Sequence, residues 1–123
     1  MSILTSIKKM LGLTEEDTSF DVDIIMAINS ALMALTQIGA GPETGFIITD
    51  KTAKWSDFIG DRIDLESIKS YVYLKTRLMF DPPSSSYVLE AYERHLSELG
   101  WRINVQIENT TPDPVVVEEG GTA

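Results

Sequence analysis

Apolar positions recur at helical spacing through most of the chain, in four separate runs. In the first, residues 3–12, Ile3, Leu4, Ile7 and Leu11 share one face, and Lys8 and Lys9 fall on the other. Gly12 closes the run as a C′ glycine does. A second helix is predicted from Thr18 or Ser19, where Thr18-x-x-Asp21 has capping-box spacing and Asp21 and Asp23 suit the positive end of the helix dipole. Its stripe is Phe20, Ile24, Ile28, Leu32, Leu35 and Ile38, and Val22, Ile25, Met26 and Met33 make the remaining circumference apolar as well. A helix apolar nearly all round needs cover from its neighbours or from another subunit. Gly39 and Gly41-Pro42 stop it.

A third helix is predicted from about Leu65 to Phe80 with Asp64 as N-cap. Leu65, Ile68, Val72 and Met79 form its row, which Tyr71, Leu74 and Leu78 widen. A fourth carries Val88, Tyr92, Leu96, Leu99, Ile103 and Ile107 on one face and runs to about residue 107. Gly100 costs about 1 kcal/mol relative to alanine there and marks either a bend or an end. Between these two helices stands Phe80-Asp81-Pro82-Pro83-Ser84-Ser85-Ser86. Pro83 has no N–H and excludes Pro82 from the α region, so the arriving helix must stop. Asp81 and the serines offer oxygens to the N–H groups of the next helix. The result is an antiparallel pair with a rigid corner.

Residues 39–63 are less regular. Phe46-Ile47-Ile48-Thr49 reads either as a short strand or as an apolar anchor, and Trp55, Phe58 and Ile59 are spaced like one face of a helical turn bounded by Gly60. This is a long connection pinned to the core by its aromatics. Residues 109–123 have two prolines, no basic residue, Val115-Val116-Val117 and Gly120-Gly121, too little to order themselves. The expected fold is therefore mainly α: a small bundle of about four helices with a long irregular connection, a helical domain over 1–108, and a flexible acidic tail over 109–123.

Composition narrows the function. A chain of 123 residues is one domain with a real core. The absence of cysteine removes disulfides and thiolate chemistry. Lys8 and Lys9, then Glu15-Glu16-Asp17, argue against a signal peptide, and no apolar run is long enough to span a bilayer, so a soluble protein made in the cytoplasm is expected. A net charge of −9 disfavours stable contact with nucleic-acid phosphates.

Catalytic material is sparse. His95 is the only histidine, and no carboxylate stands four residues from it. A hydrolase using Asp57 or Asp61 with His95 is the weakest reading. The acidic residues from Glu15 to Asp23 lack the glycine-punctuated alternation of a calcium loop, and Ser84-Ser85-Ser86 is explained by capping. Gly39-Ala40-Gly41 precedes a proline, not a helix start, so it is no phosphate loop. No enzyme, metal or cofactor is predicted. Contact surfaces fit better. Tyr87, Arg94, Glu98, Trp101 and Val105 lie opposite the core row of the fourth helix, and exposed Trp beside Arg is an interface composition. The alternative is that Trp101 packs beneath the tail or the 39–63 connection. Val115, Val116 and Val117 either add as a strand to a partner's sheet or form an end without a role.

Taken together, these residues resemble the small head–tail connector (adaptor, or head-completion) proteins of long-tailed bacteriophages. The resemblance rests on Ile3-Leu4-x-x-Ile7-Lys8-x-x-Leu11-Gly12-Leu13, on Asp23-Ile24-Ile25-x-x-Ile28-Asn29, and on Trp55-x-x-Phe58-Ile59. Its strongest part is Tyr71-x-x-Leu74-Lys75-x-Arg77-Leu78-x-Phe80-Asp81-Pro82-Pro83, leading to Trp101-Arg102. The tail after Glu108 matches no pattern of that family. The resemblance implies a non-enzymatic virion protein with a four-helix core. It implies a ring, usually twelvefold, beneath the portal protein, which extends the DNA channel without specific DNA binding and receives the next connector or the tail. Arg77, Arg94 and Trp101 are the expected contact residues, with Phe80, Asp81, Pro82 and Pro83 as the structural corner. The competing reading is a small acidic regulator or inhibitor acting as a DNA mimic.

Overall fold

A computed structural model describes residues 2–60 and 64–110 of the chain. It is mainly α, with α1 (Ile3–Met10), α2 (Asp21–Gln37), a single turn α3 (Trp55–Phe58), α4 (Leu65–Phe80) and α5 (Ser86–Thr110). Helix α4 is central, packed against α2 on one flank and α5 on the other, and α1 lies across α2 and α4. The core is formed by Ile3 and Ile7 of α1, the Ile24–Leu35 row of α2, Ile68 and Val72 of α4, and Ile103 of α5.

Helix α1 starts where Ser2 Oγ accepts the Thr5 N–H at 3.2 Å, and Ile3 N–H donates to the Ala53 carbonyl at 3.0 Å. Both α1 and α2 end in Schellman motifs. At the first, Leu13 N–H donates to Lys8 O and Gly12 N–H to Lys9 O. At the second, Ala40 N–H donates to Leu35 O and Gly39 N–H to Thr36 O. Each motif needs a left-handed residue, which Gly12 (φ 86°) and Gly39 (φ 100°) supply without steric penalty.

The α2 start departs from the expected capping box. The helix begins at Asp21 behind Phe20, and no side chain caps it. Asp21 pairs instead with Lys8, and Asp17 Oδ1 takes the Ser19 N–H at 3.1 Å. Lys8 itself corrects the expectation that it shares an outer face with Lys9. Its side chain is only 3 % exposed, because the acidic turn folds back over it and the Glu15 carbonyl accepts from its Nζ at 3.1 Å.

The connection is pinned as expected: Trp55, Phe58 and Ile59 are buried, and Trp55 Nε1 donates to Ser6 Oγ at 3.0 Å. Residues 46–49 form no strand. Asn29 acts in place of a strand partner: its Oδ1 accepts the Ile48 N–H at 2.8 Å and its Nδ2 donates to the Ile48 carbonyl at 3.0 Å. Both backbone groups of a buried residue are thereby satisfied without a ladder.

Helix α4 begins as predicted, with Asp64 Oδ1 accepting the Glu66 N–H at 3.1 Å. Its row is buried at Ile68 and Val72, whereas Leu65 and Met79, at its two ends, are exposed. Helix α5 runs unbroken through Gly100 for 25 residues. Of its row Leu99, Ile103 and Ile107 are buried, whereas Val88, in the first turn of α5, is exposed. At the corner a serine caps the next helix as expected, whereas Asp81 does not. Asp81 closes α4 as its C-cap, and Ser85 starts α5, its Oγ 3.4 Å from the Val88 N–H and its carbonyl 2.9 Å from the Leu89 N–H. The first two residues of the expected tail, Asn109 and Thr110, continue α5 instead, and residues 111–123, with Val115, Val116 and Val117, lie outside the described residues.

Candidate functional site

Among the described residues the side chains with chemical potential are dispersed. Asp57 Oδ2 accepts the Lys54 N–H at 2.8 Å and so caps α3. His95 is exposed on α5, and Asp61 lies outside the described residues. Among the described residues no group of three or more His, Cys, Asp or Glu could hold a metal ion, and no helix is long and apolar enough to cross a membrane. Two carboxylates are held below their ordinary range by local turns. Asp17 is lowered chiefly by the Ser19 backbone N–H, and Asp50 by the Thr52 hydroxyl and then its N–H. Both are turn chemistry. Burial raises the Tyr71 phenol, consistent with its ring lying against Gly100 in the α4–α5 seam.

The surfaces carry more information. On α2, Val22, Met26 and Met33 are 73 %, 65 % and 56 % exposed and lie directly opposite the buried Ile24–Ile28–Leu32–Leu35 row. Sequence patterning finds these residues apolar; it does not find the grooves beside them. One groove, about 680 Å³, lies between α2 and the end of α4 and is lined by Phe20, Asp23, Met26, Met79 and Asp81 among others. A second, about 280 Å³, joins Met33 to Phe46 and Ile47. These depend on how α4 and the connection settle against α2, which periodicity does not encode.

On α5, the expected outward stripe is present. Tyr87 and Trp101 are 77 % and 68 % exposed, and Arg94 is exposed between them. Successive members are seven residues apart, two helical turns, so they stand in one line. Arg77 is placed apart from this stripe. Its Nε donates to the Asp81 carbonyl at 2.6 Å, its Nη1 to Tyr73 Oη at 3.3 Å, and its guanidinium stands 5.8 Å from the centre of the Tyr92 ring. One side chain thus ties the end of α4 to the start of α5 across the Pro82-Pro83 corner.

Among the described residues, the helical layer leaves uncovered an apolar stripe on α2 and a Tyr-Arg-Trp line on α5. The family model for phage connector protein matches residues 3–110, and the chain belongs to that family of structural phage proteins. No match was found among curated proteins or among solved structures.

Proposed function

We propose that this chain joins the portal vertex of the DNA-filled capsid to the tail, as a ring that lengthens the DNA channel. The observation that carries the reading is the family match over residues 3–110, taken with an α2 face whose Val22, Met26 and Met33 no described residue covers. In this reading the protein is made in the host cytoplasm and resides in the virion, in twelve copies around the portal. Its partners are further copies of itself, the portal protein and the next connector or tail protein. It performs no catalysis. Arg94 and Trp101 make contacts, while Arg77 contributes by holding the corner that orients α5. The tail over 109–123, with Val115, Val116 and Val117, reaches a neighbouring protein.

The net charge of −9 supports passage of DNA without retention, because phosphates find few cations to replace their counterions. The DNA-mimic reading gains nothing from the carboxylate positions: Asp17, Asp50, Asp57 and Asp64 each accept a backbone N–H in a turn or cap. Sizing the purified chain with and without portal protein tests the proposal. Co-elution with portal is expected, and a chain that stays separate at every concentration overturns it.

A further inference from the structure

We infer that the outer stripe of α2 in one copy of this chain seats against the outer stripe of α5 in a second copy, head to tail. The inference deepens the ring reading above and rests on it. The two stripes belong to different helices, α2 and α5, each of which packs chiefly on α4. A contact between unlike stripes leaves one free surface of each kind on every copy added, so it propagates and closes into a ring when the rotation allows.

Three features make the surfaces complementary. First, spacing: Met26 and Met33 are seven residues apart, as are Tyr87, Arg94 and Trp101. Each interval is about 10.5 Å along a helix, so side chains of one stripe can interleave with those of the other. Second, chemistry: one stripe offers thioethers and the other aromatic rings, a favourable pairing. Third, charge. Helix α2 contains no basic residue, and Asp23 and Asp81 border the groove beside Met26. Arg94 forms no ion pair among the described residues. An α2-on-α2 contact would bring Asp23 no cation, whereas an α5 stripe brings Arg94. Arg94 with Glu90 and Glu98, one turn either side of it, carries a net charge of −1, a small share of the −9 on each copy, so repulsion between copies is modest there.

The absence of cysteine gives a direct test. Ser30→Cys on α2 and Ser97→Cys on α5 flank the stripes without altering them. Each variant, alone and mixed, is treated with a short bismaleimide, with and without portal protein. Head-to-tail contact predicts no cross-linked dimer from either variant alone, dimers from the mixture, and a ladder of higher multimers from the double variant. Met26→Asp or Trp101→Ala in the double variant removes the ladder while leaving the helical circular-dichroism signal. Dimers from a single variant, or no ladder under either condition, overturn the inference. Co-elution of the unmodified chain with portal separates the two readings. Portal binding without a ladder sinks only this contact, and a ladder without portal binding sinks only the connector role.

Discussion

Lys8 of α1 and Asp21 of α2 are joined by an ion pair of 2.9 Å, in which the ammonium is buried and the carboxylate is a quarter exposed. The pair fixes how the acidic turn between the two helices closes. The Lys8 stem is buried with the rest of its side chain, and its head meets Asp21 in the first turn of α2, with the Glu15 carbonyl as a second acceptor. Removing one partner leaves a buried charge with a single neutral acceptor. Asp21→Ala is therefore expected to cost about 2–3 kcal/mol, below the range for a fully buried pair because Asp21 retains some water. Urea denaturation measures this. Adding Lys8→Met should recover most of the loss, since the apolar stem is kept and the stranded charge removed. A single-variant loss under about 0.5 kcal/mol would mean that solvent already screens the pair.

The Lys8–Asp21 pair also shows where the sequence is legible and where it is not. Helix α4 is legible in extent, because Asp64 and the Pro82-Pro83 break are local signals. The burial of Trp55 and Phe58 followed from their size and spacing. Lys8 was misplaced because periodicity assigns a face, and only the return of the 14–20 turn decides whether that face meets solvent. The same limit applies at the surface. Tyr87, Arg94 and Trp101 could be placed opposite a core row, but the grooves beside Met26 and Met33 arise from packing between elements distant in sequence.

Thr76 is fully buried on α4, and its hydroxyl has no hydrogen-bond partner among the described residues. A desolvated hydroxyl without a partner is unfavourable, and valine fills nearly the same volume. Thr76→Val should thus raise stability by about 1 kcal/mol, read as a higher urea midpoint at unchanged slope. A lower midpoint would show that the hydroxyl does have a partner in solution.

Asp17 and Asp50 give the acid limb a defined sign. Both have folded-state values below the ordinary 3.8, so their contribution is present above that value and is lost as pH falls through the lowered ones. For Asp50 the leading cause is the Thr52 hydroxyl. Thr52→Val should move the Asp50 titration, followed by carboxyl-carbon NMR, upward toward 3.8, while Asp17, set by Ser19, stays put. Equal movement of both would point to a global change rather than to the two turns.

Helix α5 continues to Thr110, two residues past the expected domain boundary, so truncation after Thr110 leaves its backbone whole. The shortened chain should keep its helical circular-dichroism signal and urea midpoint but bind portal more weakly. A segment whose contacts are all with a partner contributes to the complex and not to the free fold. Undiminished portal binding by the truncated chain would remove the tail, and with it Val115, Val116 and Val117, from the contact surface.

Gly100 sets two effects against each other. Glycine inside a helix is less favourable than alanine by about 0.8–1 kcal/mol, and α5 carries that penalty without a break. Against this, a Cβ at position 100 would lie 3.4 Å from Cε2 of Tyr71, the ring packed in the α4–α5 seam. That distance is ordinary van der Waals contact, so a single methyl fits and the propensity term wins. Gly100→Ala should stabilise the protein by about 0.5–1 kcal/mol. A larger side chain has no such room. Gly100→Val should push the Tyr71 ring aside, part α5 from α4 and cost more than alanine gains, about 1–3 kcal/mol. The seam itself can be followed through Tyr71, whose phenol burial holds above its ordinary value. The late-titrating phenolate should persist in Gly100→Ala and shift toward lower pH in Gly100→Val as water reaches the ring. If alanine also lowered it, close approach of the two helices, rather than helix propensity, would be the reason this position is glycine.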